Sequence, residues 1–112
     1  MVSVVAGQVY WVRPDATIGR EQSGRRPAVV VSGQGYNEAV TTLVWAVPVT
    51  SVDRNWDNHI ELRGSTGLPR ASFAMTEQLR VLSRSRLDGL IGVVDDATLT
   101  AIRRWIIDFL ED

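Results

Sequence analysis

Pro27-Ala28-Val29-Val30-Val31-Ser32 and Thr41-Thr42-Leu43-Val44-Trp45-Ala46-Val47-Pro48-Val49-Thr50 decide the architecture of this chain. Both are continuous apolar runs rich in β-branched residues, whose stiff side chains suit an extended backbone. Both therefore read as central strands covered on their two faces. The segment Gly33 to Ala39 between them has room for a turn of helix. Upstream, Gly7 to Arg13 reads as a strand with apolar residues on both faces, stopped by Pro14. Downstream, His59 to Arg63 is a short alternating strand, Gly64 to Pro69 a turn with two glycines, and Ala71, Phe73 and Met75 alternate again before Leu79 and Val81. Several short strands at close spacing predict a small barrel rather than a parallel sheet.

The period changes near the end. Asp95 is placed to cap a helix on which Leu99, Ile102, Trp105, Ile106, Phe109 and Leu110 share one face, with Ile107 off that stripe. Such a stripe is expected to pack on the barrel, with Trp105 and Phe109 in the core. The expected fold is thus mainly β with minor α: a small barrel, a short helix after the second strand and an amphipathic C-terminal helix.

A chain of 112 residues suits one domain, residues 1–112, able to bury roughly two-thirds of its unfolded surface. Cysteine is absent, so disulfides and thiolate metal sites are excluded and a reducing compartment is expected. No basic leader or membrane-length apolar run is visible, which predicts a cytoplasmic protein with no membrane partner. The formal charge is −1, and all 12 basic residues are arginine. Without lysine there is no Walker-type phosphate loop and no lysine Schiff base.

The charge is local rather than general. In Gly19-Arg20-Glu21-Gln22-Ser23-Gly24-Arg25-Arg26-Pro27, three arginines fall within seven residues and run into a rigid strand. Arginine's planar fork of donors suits a phosphate.

These residues carry a resemblance. Gly7-Gln8-Val9-Tyr10-Trp11-Val12, the motif from Gly19 to Ser32, and Val47-Pro48-Val49-Thr50-Ser51 resemble the MazF/PemK toxins of bacterial toxin-antitoxin pairs. The similarity continues through His59-Ile60-Glu61-Leu62, Gly67-Leu68-Pro69, Glu77-Gln78-Leu79-Arg80, Ser85-Arg86-Leu87, Ile91-Gly92 and the closing helix. It implies an SH3-like barrel, a homodimer, a cognate antitoxin as partner, and an endoribonuclease that cuts single-stranded RNA without metal or other cofactor. The family's catalytic arginine and threonine match Arg26 and Thr50.

Elementary chemistry supports these two positions. RNA cleaves itself when a 2′-hydroxyl attacks the adjacent phosphorus, so an enzyme must align the attack and stabilise charge on the phosphoryl oxygens. Arg26, ahead of Pro27, is placed to clamp that charge, although a guanidinium is a poor general base. Thr50 both donates and accepts a hydrogen bond, and by spacing alone is equally a strand-ending threonine. Ser51 stands beside it. His59, the one histidine, is a further catalytic candidate because some relatives use a histidine there; the plain alternative is a surface residue on an edge strand.

Arg20 and Arg25 are expected to be solvated in the free protein and to track phosphates, with Glu21 and Gln22 orienting them or contacting RNA. Trp56, in a polar loop, stacks a base, meets the antitoxin or folds back onto the barrel. Asp95-Asp96 reads as helix capping, and no metal site is expected. Two other functions stay open: a non-enzymatic gyrase poison like the related CcdB family, and an SH3-like binding module without activity.

Overall fold

The computed structural model describes residues 3–14 and 24–111. Its elements in chain order are β1 (Gln8–Val12), β2 (Arg26–Val30), α1 (Gln34–Ala39), β3 (Leu43–Thr50), β4 (His59–Glu61), β5 (Gly64–Ser65), β6 (Phe73–Met75), β7 (Arg80–Ser83), β8 (Leu87–Val94) and α2 (Asp96–Leu110). Short 3-10 turns lie at Thr76–Gln78 and Arg84–Arg86. The expected strands at positions 7–13, 27–32, 41–50 and 59–63 all form, as do both helices.

All strand pairs are antiparallel, in the order β4-β6-β3-β2-β1-β8-β5 with β7 on β3. β3 organises the sheet. One edge pairs with β2, while the other is shared by β7 along its first half and β6 at its end. The two ends of the sheet, β4 and β5, are separated in the chain by Leu62 and Arg63 alone, so the sheet must curl back on itself. This is the physical origin of the barrel. Gly64 makes that corner with a φ of 116°, and a Cβ there would stand 2.6 Å from the Asp95 amide nitrogen. Only glycine fits so close an approach at such an angle.

The core lies on both faces of β2 and β3, as their unbroken apolar runs require. Val9, Val29, Val47, Val49 and Ala74 pack inside the curl with Ile102 of α2. Tyr10, Val12, Ala28, Val30, Val44, Ala46 and Leu82 fill the opposite face. α2 starts on Asp95, whose side chain accepts from the Thr98 amide at 2.9 Å. That contact holds the Asp95 carboxyl below its ordinary pKa, through hydrogen bonds from the Thr98 side chain and backbone.

Three readings need correction. β8 spans eight residues where no strand was expected, because its pattern is broken by Gly89 and Gly92 and by two register shifts against β1. The expected turn at 64–69 contains β5, a two-residue strand too short for any periodicity to reveal. The α2 stripe outruns the core. Leu99, Ile102 and Ile106 pack against the barrel, but Phe109 and Leu110 are 49% and 79% exposed, and Phe109 leans instead on the Trp105 ring at 5.8 Å. A 15-residue helix is about 22 Å long, more than this small sheet covers. Ile107 is exposed, as its position off the stripe implied. Among the described residues no helix is long and apolar enough to cross a membrane.

Candidate active site

The β2–β3 ladder builds the site. It pairs Val30 with Ala46 and Ala28 with Pro48 and ends there; Arg26 lies two residues beyond on β2, paired with Val12 of β1, and Thr50 two residues beyond on β3, paired with Phe73 of β6. Side chains two apart in a strand share a face. Arg26 and Thr50 therefore project from the same face as Ala28 and Pro48, over the second apolar cluster.

A cleft of about 270 Å³ opens here, lined by Arg26, Arg80 and Arg86 together with Val12, Pro27 and Pro48 among others. Its described lining contains three guanidinium groups and no carboxylate. The floor is apolar. Charges beside such a floor are screened less than charges in open water, which strengthens their hold on an anion. Arg26 is exposed, and no described residue hydrogen-bonds or ion-pairs with its side chain. Thr50 is half-buried, and its Oγ1 accepts from the Val52 amide at 3.1 Å. That bond occupies an acceptor site of the hydroxyl and leaves its proton to be donated elsewhere. Ser51, next in the chain, is exposed.

Arg80 and Arg86 line the cleft without having stood out in the sequence as candidates. The β3–β7 ladder places Arg80 opposite Ala46, and strand alternation puts it on the face of buried Leu82. An arginine in phase with a core leucine was the available signal. Arg86 is held from behind, with its Nε donating to the Arg13 carbonyl at 2.8 Å while the Arg13 amide donates to the Arg86 carbonyl at 2.9 Å.

His59 stands elsewhere. It lies on β4, separated from β3 by β6, and is not among the residues lining the cleft. The surface alternative is also corrected, since its side chain is only 2% exposed. Its Nε2 lies 3.0 Å and 3.2 Å from the two carboxylate oxygens of Glu77, and the Trp56 ring packs on it with centroids 4.7 Å apart. Asn58 donates to Glu77 at 2.8 Å. Trp56 folds back onto the barrel in this way, yet keeps 51% of its surface exposed.

Arg25 is not simply solvated. Its guanidinium carbon sits 4.8 Å from the Trp11 ring centroid, and Nη1 lies 3.6 Å from an Asp88 carboxylate oxygen. Arg20, Glu21 and Gln22 lie outside the described residues.

A curled SH3-like barrel carrying an arginine-lined cleft defines the class: a small β protein with a cationic cleft on one face of its sheet. Residues 6–110 match the PemK-like, MazF-like toxins of type II toxin-antitoxin systems, and the chain belongs to that family. It is 34% identical over 102 residues to endoribonuclease MazF9 of Mycobacterium tuberculosis, covering 86% of each chain. Endoribonuclease EndoA of Bacillus subtilis is 28% identical over 101 residues, covering 88% of this chain and 87% of the relative. The crystal structure of MazE-MazF (form II) from Deinococcus radiodurans superposes with a TM-score of 0.83 at 30% identity, over 98% of this chain and 97% of that one.

Proposed function

We propose that this chain is a sequence-selective endoribonuclease toxin that cleaves single-stranded RNA by metal-independent attack of the 2′-hydroxyl, and that a cognate antitoxin neutralises it. The endoribonuclease names of its relatives and the MazE-MazF assembly support this reading. One observation carries it: Arg26, without a described partner, lines a cleft with three arginines and no described carboxylate, at the end of the β2–β3 pair where β3 closes on Thr50.

The chemistry follows from that arrangement. The scissile phosphate enters the cleft with its non-bridging oxygens toward Arg26, whose fork of donors matches two of them. As the 2′-oxygen bonds to phosphorus, negative charge grows on those oxygens and Arg26 binds the transition state more tightly than the substrate. Thr50 donates a hydrogen bond from its hydroxyl to a phosphoryl oxygen and helps to align the attack. The proton of the attacking 2′-hydroxyl passes to solvent water, the bond from phosphorus to the 5′-oxygen breaks, and that oxygen takes a proton from water, leaving a 2′,3′-cyclic phosphate and a 5′-hydroxyl.

Arg80 and Arg86 engage flanking phosphates, and Arg20, Glu21, Gln22, Ser51 and Trp56 extend the contact to RNA. His59 supports the site by holding Glu77 and Trp56. The working unit is a homodimer in the cytoplasm.

Incubating the purified chain with a long single-stranded RNA in EDTA tests the proposal. Discrete fragments with cyclic-phosphate and 5′-hydroxyl ends are the expected result. Intact RNA, or cleavage that stops on chelation, overturns it.

A further inference from the structure

Trp11, Arg25 and Asp88 form a clamp on the side of the sheet away from the cleft. In the β1–β2 ladder Val12 pairs with Arg26 and Trp11 with Pro27, so alternation gives Val12 and Arg26 to the cleft face and Trp11 to the other. β8 reaches Trp11 through a bulge. Tyr10 pairs with Leu90 and Val12 with Leu87, which leaves two residues, Asp88 and Gly89, against Trp11 alone. Gly89 takes a φ of 114°, and a Cβ there would lie 3.8 Å from the Trp11 ring. The bulge brings the Asp88 carboxylate to 3.6 Å from Arg25, while the Arg25 guanidinium lies over the Trp11 ring.

We infer that Asp88 and Arg25 are positioning residues for Arg26, an inference that rests on the RNA-cleaving reading above. Arg26 is the first residue of β2 and has no described side-chain partner, so its direction depends on how firmly the backbone is held at the strand entrance. Arg25 supplies that hold from the opposite face. An exposed ion pair alone restrains little. Here the guanidinium is restrained twice, by a carboxylate at its edge and by an indole at its plane. Tethering Arg25 on one face aims its neighbour into the cleft on the other, and small errors in that aim are costly to an in-line displacement. The same contacts withdraw Arg25 from phosphate binding.

Steady-state cleavage of a defined single-stranded RNA by the full chain tests this with Asp88→Ala, Arg25→Ala, the double variant and Asp88→Glu. Each single variant is expected to lower kcat about tenfold with KM and melting temperature unchanged. The double variant is expected to be no worse than the poorer single one, because the two residues act through each other. Asp88→Glu is expected to restore most of the rate. An unaltered kcat in Asp88→Ala, or an Arg25→Ala loss confined to KM with a shallower salt dependence, overturns the inference. Wild-type chain that leaves RNA intact overturns the cleavage reading and this one together; active wild type with an indifferent Asp88→Ala overturns this one alone.

Discussion

Glu77 grips the ring of His59 from one side only: Nε2 lies 3.0 Å from the nearer carboxylate oxygen, while Nδ1 is buried with no hydrogen-bond partner among the described residues. Burial pushes the Glu77 carboxyl up, but its backbone hydrogen bond and His59 more than offset this and hold it below the ordinary glutamate value. A carboxyl depressed in the folded state stabilises the fold above its unfolded pKa of about 4.3, and that contribution is lost as pH falls through the folded value. Urea denaturation at a series of pH values should therefore show stability declining below about pH 4.5. Glu77→Gln should be less stable than wild type at pH 7 by about 1 kcal/mol, and the gap should close in acid. A gap that persists unchanged in acid would refute the role given to this carboxylate.

Arg26→Ala removes the cleft's cation with no described partner without touching the core. Cleavage should fall by roughly 10²-fold or more, mostly in kcat, while the melting temperature barely moves. Thr50→Val keeps the shape and removes the donated proton, so a smaller loss in kcat is expected. Either variant, folded and fully active, would remove that residue from the proposed chemistry.

Three cleft arginines imply a steeper salt dependence than a chain of net charge −1 suggests at first sight. Each phosphate contact on a single strand adds about 0.7 to the slope of log affinity against log salt. Arg80→Ala should lower that slope by about this amount and raise KM with little change in kcat. Fluorescence titration of a labelled, uncleavable RNA at several salt concentrations measures it, and an unchanged slope would separate Arg80 from the substrate.

Two apolar residues on one helix stripe should behave differently. Ile102 is fully buried, so Ile102→Ala should cost about 2–5 kcal/mol in chemical denaturation. Phe109 is half-exposed beyond the core, so Phe109→Ala should cost under about 1 kcal/mol in the isolated chain. Equal losses would mean that the end of α2 is covered in solution.

Much of the fold was legible because it is written locally. Val29 to Val31 and Val44 to Val49 announce doubly covered strands by composition, and Asp95 with its stripe announces a helix by period. β8 was not legible. Its bulges and glycines erase the alternation that identifies a strand, and pairing with β1 and β5 holds it extended. The site divides in the same way: Arg26 and Thr50 stood out through motif and chemistry, whereas Arg80 and Arg86 looked like ordinary surface charges.

The sequence by itself determined the strand-rich character, the capped terminal helix and the absence of lysine and cysteine chemistry, and through the family resemblance it singled out Arg26 and Thr50 as candidates for a phosphate site. The tertiary structure alone decided that two further arginines share the cleft of Arg26, that His59 is buried against Glu77, and that Arg25 is clamped between Trp11 and Asp88. The physical reason is range. Propensity and periodicity act over a few neighbouring residues, but register, bulges and barrel closure depend on pairings between segments distant in the chain, and those pairings select which side chains meet.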